Sequence, residues 1–281
     1  MARETSYIKQ SVIDEWIAEE IGYFDLTTNA LGIGDKEAAI EIATRGDCAV
    51  CGCEEAALIA QKLDLIVKSC AISGKLVRQK EIVFSAIGNA QNVHLAWRIA
   101  QNVISFASTI STRTNRLVTL AKAINPSISV GCTRKSIPSA KALSLKAVLA
   151  GGGSVHRAGL TETFLLFNEH RVFFDDDAQL FDKLAEIKRR LIEKKIIVEV
   201  KSIDEAIKFA PYADILQTDK LSSNDIREIK QIAPNTHIAV AGGIDPNNIQ
   251  EYVKAGADSI VSSWQFFCDK PIDFEVNISR R

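Results

Sequence analysis

Two short segments of the chain combine basic residues with small ones in a way that suits anion binding. The first is Cys132-Thr133-Arg134-Lys135, and the second is Gly151-Gly152-Gly153-Ser154-Val155-His156-Arg157. A guanidinium group binds two oxygens of a phosphate or a carboxylate at once. Three fixed positive charges, and a fourth if His156 is protonated, repel one another unless their ligand carries several negative charges. The two segments together predict a polyanionic ligand, although either one alone could be an exposed charged loop.

Two carboxylates and a pair of glycines add to this prediction. Glu199 lies near the end of an apolar run, and Asp219 follows the next run along the chain. A carboxylate buried in an apolar strand is costly unless it has a partner, and Mg²⁺ commonly bridges a diphosphate to one or two carboxylates. We expect Glu199 and Asp219 to bind Mg²⁺, directly or through water. Gly242-Gly243 precedes a predicted helix, whose first N–H groups would accept a phosphate.

A repeat of apolar runs and helical segments positions these residues. The runs are Ile128–Val130, Thr163–Phe167, Ile196–Val200, Asp214–Gln217, His237–Ala241 and Asp258–Val261, and the helical segments between the last four runs are 204–209, 223–232 and 247–255. This alternation predicts a parallel α/β sheet covered on both faces. Because this part is short for eight units, we expect an open (β/α) barrel of six or seven parallel strands. Catalytic residues of such barrels lie at the C-terminal strand ends, so the segments above would meet at one rim.

Residues 1–110 follow a different pattern, which predicts a smaller N-terminal α/β sandwich domain. A helical pattern over 12–21 is followed by alternation at 39–43, a helix over 54–62 and a long helix from His94 to about Ile110. We place the barrel domain at 111–267 and expect the C-terminal tail, 268–281, to return to the first domain.

Composition excludes several classes of protein. Lys and Arg number 34 against 35 Asp and Glu, so the net charge of −1 argues against a dedicated nucleic-acid binder. No apolar run approaches the length of a membrane span, and the N-terminal segment lacks the apolar core of a signal peptide. We expect a cytoplasmic protein that binds small molecules, not nucleic acid or a membrane.

The cysteines allow two interpretations. Cys48, Cys51 and Cys53 could form a four-sulfur zinc site with Cys70. Only one pair has the C-x-x-C spacing, however, and zinc sites usually offer two. We favour sulfurs that pack as small apolar groups.

Three motifs in order make the chain resemble the quinolinate phosphoribosyltransferase family (nicotinate-nucleotide pyrophosphorylase, carboxylating) along nearly its whole length. Residues 20–28, Glu-Ile-Gly-Tyr-Phe-Asp-Leu-Thr-Thr, are close to the family's E-D-x-G-x-G-D-x-T-T. Thr133–Pro138 resembles T-R-K-T-x-P, and Gly151–Arg157 resembles G-G-G-x-x-H-R. The resemblance implies an open α/β barrel with a smaller α/β domain. It also implies a homodimer in which the small domain of one subunit completes the site of the other.

The resemblance further implies a reaction and roles for residues. A ring nitrogen of quinolinate displaces pyrophosphate from 5-phosphoribosyl 1-diphosphate, and the adduct then loses CO₂. The implied catalytic residues are Glu199, Asp219 and Lys135, of which the two carboxylates face the ribose and Mg²⁺. The implied substrate-binding residues are Thr133, Arg134, His156, Arg157, Phe167 and Arg98, the last reaching in from the neighbouring subunit. The implied phosphate-binding residues are Gly242, Gly243 and Ser262.

Departures from the family pattern resemble one branch of it, the ModD pyrophosphorylases found with molybdenum transport systems. Phe167 stands where the family has a lysine, and Lys220 stands where it has an asparagine. Because a hydrogen bond between a charged donor and a carboxylate contributes about 1.5–3 kcal/mol, we predict that quinolinate is used poorly while phosphoribosyl diphosphate still binds. Two other classes stay open: a non-catalytic small-anion binder of a molybdate transport system, and a barrel enzyme with Lys135 as a Schiff-base lysine.

Overall fold

A computed structural model describes residues 8–281, and its internal contacts divide the chain into two units. Of the described residues, the first unit contains the chain up to Asn115 together with Ser136–Gly152 and Gln265–Arg281. The second unit contains Arg116–Lys135 and Gly153–Trp264. The segment 136–152, which we expected in the barrel domain, therefore belongs to the first unit.

Charge pairing explains where this segment packs. The ammonium of Lys146 lies 3.0 Å from a carboxylate oxygen of Glu54 and 2.7 Å from both carboxylate oxygens of Glu55. Glu55 is only 4% exposed, so its charge requires a partner of this kind. A spacing pattern cannot predict such a contact, because Glu55 and Lys146 are distant in the sequence.

The first unit is built on an antiparallel sheet flanked by helices. Its strands are β1 Glu37–Thr44, β2 Cys48–Ala49, β3 Ile66–Cys70, β4 Leu76–Val77, β5 Ile82–Asn89 and, from the C-terminal tail, β13 Phe274–Arg280. Its helices are α1 Gln10–Ile21, α2 Leu26–Leu31, α3 Cys53–Lys62, α5 Lys141–Ala150 and most of α4, which spans Ala90–Lys122. The sheet order is β13-β1-β5-β3, and β2 pairs with β4. Alternate residues of β1, among them Ile40 and Ile42, are buried.

The second unit alternates strands and helices. Its strands are β6 Ser129–Cys132, β7 Ser154–Val155, β8 Phe164–Leu166, β9 Ile196–Val200, β10 Ile215–Asp219, β11 His237–Ala241 and β12 Ser259–Ser262. Its helices are α6 Asn168–Arg171, α7 Asp177–Arg190, α8 Ile203–Phe209, α9 Ser223–Ile232 and α10 Ile249–Lys254. A short 3₁₀ turn, Trp264–Phe266, follows β12.

The seven strands form one parallel sheet in the order β7-β6-β12-β11-β10-β9-β8. Strands β7 and β8 end the order without pairing to each other, so the barrel is open. Apolar residues of the strands pack against the helices, as the full burial of Val198, Leu216 and Ile260 shows. The prediction of an α/β fold with an open barrel of six or seven parallel strands and a smaller N-terminal domain is confirmed.

Helix starts in the second unit follow local capping. The Ser202 side chain accepts a hydrogen bond from the Glu205 amide at the start of α8. Ser222 and Asp225 exchange hydrogen bonds at the start of α9 as a capping box. On α9 the buried residues Ile226 and Ile229 face the sheet side of an otherwise polar helix.

Neither a membrane span nor a clustered metal site is found between Ile8 and Arg281. No helix in that range combines the length and the apolar character that crossing a membrane requires, and no group of three or more His, Cys, Asp or Glu side chains there could hold a metal ion. Cys48, Cys51 and Cys53 are buried and free. Burial raises the pKa of the Cys51 thiol to about 11, so this sulfur is a protonated, weakly polar group at neutral pH.

Candidate active site

The C-terminal ends of the parallel strands surround a cavity of about 530 Å³ within the second unit. This volume is typical of sites for small molecules. The residues predicted from the sequence that line it are Thr133, Arg134, Lys135, His156, Arg157, Phe167, Glu199, Asp219, Gly242, Gly243 and Ser262. Segments that are distant in the sequence thus contribute to one site, because the sheet curls around it.

Arg98 is the one predicted site residue that does not line this cavity. It lies on α4 in the first unit, where its guanidinium stacks 4.1 Å from the ring centroid of Trp97 and donates to Gln101 at 2.8 Å. It lines another cavity of that unit, of about 450 Å³, which Asp25 and His94 also line.

Arg157 is the buried cation of the site. It is 6% exposed, and its Nη2 donates to the carbonyl of Thr163 at 3.2 Å. Its buried Nε has no hydrogen-bond partner, and no carboxylate in residues 8–281 forms an ion pair with it. Burial lowers the pKa of the guanidinium, and the positive charge of Arg134 lowers it further. A buried cation next to another cation is stabilised by an anion.

The loop that carries Arg134 and Lys135 is tied to the last barrel strand. The amide of Thr133 donates to the carbonyl of Ser262 at 3.1 Å, and the Thr133 hydroxyl accepts from the amide of Lys135 at 3.2 Å. Both basic side chains are exposed at the mouth. Exposure of Lys135 disfavours the Schiff-base alternative, because that chemistry requires a desolvated lysine.

Glu199 and Asp219 end neighbouring strands, β9 and β10, and lie in the same cavity. Burial raises the pKa of the Glu199 carboxyl, and the negative charge of Asp219 raises it further. Two half-buried carboxylates on neighbouring strands form a suitable donor set for a hard divalent cation. A pair of protein carboxylates fits Mg²⁺, because this ion retains waters and takes further oxygens from a phosphorylated ligand.

Gln217, a residue that sequence reasoning missed, connects the basic and acidic sides of the cavity. Its Nε2 donates to Glu199 Oε2 at 3.2 Å, and its Oε1 lies 3.1 Å from His156 Nε2. Burial lowers the pKa of His156, and the charge of Arg157 lowers it further, although the Gln217 contact raises it. Since the ordinary value is already near 6.5, His156 is a neutral ring at pH 7 and does not add a fourth positive charge.

The glycine pair lies in a loop and not at a helix start, so that part of the prediction is wrong. Helix α10 begins only at Ile249, and the Asn248 side chain donates to the carbonyl of Gly243 at 2.9 Å across the intervening loop. Gly242 has φ +86°, and a Cβ on it would lie 2.5 Å from Asp219 Oδ1. A glycine is required there because the backbone approaches the carboxylate closely.

The Ser262 side chain supports the same loop. Its hydroxyl donates to the carbonyl of Ile244 at 2.7 Å and accepts from the amide of Trp264 at 3.0 Å. Because the hydroxyl proton is already used, Ser262 shapes the cavity wall in this structure and does not present a free donor to it.

Phe167 places an aromatic ring in the cavity wall just after β8. Its backbone amide donates to His170 Nδ1 at 3.0 Å, and the two rings stack with centroids 5.8 Å apart. The position is therefore fixed by the first turn of α6, and it presents an apolar surface to the cavity.

The fold and site define a class of protein, the open α/β barrels with a cavity at the C-terminal strand ends, which basic and acidic side chains line in this chain. Comparison with family models identifies the family within that class. The model of the quinolinate phosphoribosyl transferase C-terminal domain matches residues 110–277, and that of the N-terminal domain matches residues 25–108. The chain belongs to the quinolinate phosphoribosyl transferase family.

Individual relatives cover nearly the whole chain. It is 32% identical over 283 residues to the ModD pyrophosphorylase of Pasteurella multocida, covering 98% of this chain and 99% of the relative. It is 36% identical to a ModD pyrophosphorylase of Rhodobacter capsulatus, covering 83% of this chain and 91% of the relative. The structure of the nicotinate-nucleotide pyrophosphorylase from Francisella tularensis matches with a TM-score of 0.89 and 26% identity over 98% of both chains.

Proposed function

We propose that this protein transfers a phosphoribosyl group from 5-phosphoribosyl 1-diphosphate to an acidic nitrogen heterocycle and releases pyrophosphate. One observation carries the proposal. The unpaired, buried guanidinium of Arg157 and the two carboxylates Glu199 and Asp219 line a single cavity of about 530 Å³. This combination fits a ligand with a highly charged diphosphate at one end and a sugar that becomes positively charged at the other.

The chemistry requires charge placement more than a nucleophilic side chain. As the bond between C1 of the ribose and the diphosphate breaks, negative charge grows on the leaving group, where Arg134, Lys135 and Arg157 stabilise it. Positive charge grows on the sugar, where the ionised carboxylates of Glu199 and Asp219 stabilise it. Glu199 and Asp219 would hold Mg²⁺, which would supply charge neutralisation of the diphosphate. We expect the backbone of Gly242 and Gly243 to bind the 5′-phosphate.

The acceptor differs from quinolinate in our proposal. Of the side chains predicted to bind an acidic ring, His156 is neutral and Phe167 is apolar. The cavity therefore offers a dicarboxylate fewer positive charges than a site with a protonated histidine and the family's lysine at these two positions. Quinolinate, which would also lose CO₂ after transfer, is then a poor acceptor, and an acidic heterocycle with a single carboxylate is a better one.

Three further expectations depend on resemblance alone and remain part of the proposal. They are a homodimer in which Arg98 reaches the neighbouring site, a cytoplasmic location and a role alongside molybdenum transport. Supporting the first, several apolar side chains near α2 are exposed in the isolated chain, among them Tyr23, Phe24 and Leu26.

Replacement of Glu199 tests whether the site is catalytic. Pyrophosphate release is measured with Mg²⁺, phosphoribosyl diphosphate and a panel of pyridine and purine carboxylates, and products are identified by mass. We expect Glu199→Ala to lower turnover by about 10²–10³-fold, while inorganic pyrophosphate binding is retained. Glu228→Ala, an exposed position on α9, is the control and should leave turnover unchanged.

The non-catalytic alternative gives a different result. If phosphoribosyl diphosphate or another small anion binds the wild-type protein but no member of the panel yields product, and Glu199→Ala binds equally well, the protein is a small-anion binder. That outcome would contradict the transferase.

A further inference from the structure

Gln217 makes a contact across the interior of the barrel. His156 follows β7, and Gln217 lies on β10, which is the fifth strand in an order that β7 begins. The Gln217 and His156 side chains nevertheless lie within hydrogen-bond distance, at 3.1 Å. Gly131 on β6 makes room for the imidazole, since a Cβ there would lie 3.2 Å from His156 Cβ. The amide is thus the link between two sides of the site.

The orientation of this amide is fixed by its other partner. Gln217 pairs with Glu199 in the β9–β10 register, and its side chain contacts the Glu199 carboxylate at 3.2 Å. An ionised carboxylate only accepts hydrogen bonds, so the NH₂ group of Gln217 must face it. The reverse orientation would place the amide oxygen against the carboxylate. Gln217 is 6% exposed, so water does not offer either end an alternative partner.

The orientation of the amide decides the tautomer of the histidine. With the NH₂ group on Glu199, Oε1 faces His156 Nε2, and an amide oxygen can only accept. His156 Nε2 therefore carries hydrogen. Burial and the neighbouring charge of Arg157 lower the pKa of the ring, and in the neutral ring Nδ1 is then the only acceptor.

We propose that Gln217 is a positioning residue, which holds His156 as the Nε2–H tautomer so that the imidazole meets the ligand as a hydrogen-bond acceptor and not as a cation. The ligand group opposite His156 is then a hydroxyl or N–H donor, such as a ribose hydroxyl, and the anionic groups are bound by other residues of the site. The identity of that ligand rests on the proposed function, whereas the tautomer does not.

The tautomer is tested on the ligand-free protein. Protein labelled with ¹⁵N-histidine is studied by long-range ¹H–¹⁵N correlation at pH 7.5, with the His156 signals assigned by their loss in His156→Asn. We expect the single Nε2–H form in the wild type and a mixture of tautomers in Gln217→Leu. The control Gln250→Leu removes a glutamine on α10 that donates to Leu120, and should leave the His156 signals unchanged. An Nδ1–H form or a charged ring in the wild type would overturn the proposal, even if Gln217→Leu did not fold.

Ligand binding supplies a second measurement. If His156 accepts a hydrogen bond from a sugar hydroxyl, Gln217→Leu should weaken the binding of phosphoribosyl diphosphate by about tenfold. The same variant should change the affinity for inorganic pyrophosphate by less than twofold. Equal weakening of both would assign Gln217 a general structural role and contradict the proposal. If the wild type binds no phosphoribosyl diphosphate, the proposed function fails, and the tautomer measurement still decides the role of Gln217.

Discussion

At the scale of single residues, we expect Phe167 to set the acceptor preference. Its ring lines the cavity where the family has a lysine. We expect Phe167→Lys to raise turnover of quinolinate by about 10–100-fold, since a hydrogen bond from an ammonium to a carboxylate contributes about 1.5–3 kcal/mol. Pyrophosphate release with quinolinate measures this, and Phe167→Leu, which adds no charge, is the control. Efficient use of quinolinate by the wild type would refute the altered pocket.

Lys220 is a residue in which function and stability compete. It lies at the cavity mouth with φ +59°, a left-handed conformation that costs a lysine free energy and suits asparagine better. We expect Lys220→Asn to raise the free energy of unfolding by about 0.5 kcal/mol and to weaken pyrophosphate binding several-fold.

Lys80 is a matched control for that change. It has φ +68° and lies in the first unit. Urea unfolding of Lys80→Asn should show the same gain in stability, whereas titration with pyrophosphate should show no loss. A loss of affinity in both variants, or in neither, would mean that Lys220 does not contact the ligand.

At the scale of elements, Arg171 on α6 fixes the end of β9. Its guanidinium donates to the backbone carbonyl of Glu199, forms an ion pair with Glu205 at 3.0 Å and stacks on Phe209 at 4.3 Å. We expect Arg171→Met to lower the free energy of unfolding by about 2 kcal/mol, because both acceptors lose a charged donor, and to lower kcat. Urea unfolding and turnover are the measurements. Arg190→Met removes an exposed ion pair to Glu186 and should change stability by less than about 0.5 kcal/mol.

The elements were predictable to different degrees. Strand β11 and helix α9 have the predicted bounds, because continuous apolar runs and 3.6-residue periodicity give strong signals. Strand β7 was missed, since it has only two residues and follows three glycines. Helix α4 continues to Lys122, beyond the predicted end near Ile110, because no glycine or proline interrupts it.

The sequence predicted which residues lie at the strand ends of the site, but not which hydrogen bonds they form with one another. Position at a C-terminal strand end placed Arg157, Glu199 and Asp219 in one cavity from sequence order alone. The bond between Gln217 and His156 depends on how far the sheet curls, which no local pattern encodes. A glutamine inside an apolar run also looks like the edge of the strand, so the sequence offers no signal for its role.

At the scale of the whole molecule, buried histidines make stability depend on pH. Burial lowers the pKa of His156 and of His237, so the unfolded chain binds more protons than the folded one below about pH 6.5, and stability falls as the pH falls. Between pH 7.5 and 6, each histidine can contribute a loss of at most about 0.8 kcal/mol. Urea unfolding at both pH values should show a smaller loss for His237→Gln than for the wild type.

Measurement between pH 7.5 and 6 separates the contribution of the histidines to stability from that of the carboxylates. Asp25 and Glu54 have lowered pKa values, so their contribution to stability is lost only below about pH 4.5. The raised pKa of Glu199 acts with the opposite sign, because protonation of this carboxyl favours the folded state as the pH falls. An equal loss for His237→Gln and the wild type would show that folding does not lower the pKa of His237.

The pairing of β13 with β1 has a consequence for synthesis in the cell. Strand β1 needs β13 to cover one edge and β5 to cover the other, yet almost the whole chain lies between β1 and β13. A ribosome releases the barrel segments before it releases the strand that completes the first sheet. Until then the β1 edge is an unpaired strand edge that could pair with foreign strands, so the first sheet is completed only after the barrel segments have been synthesised.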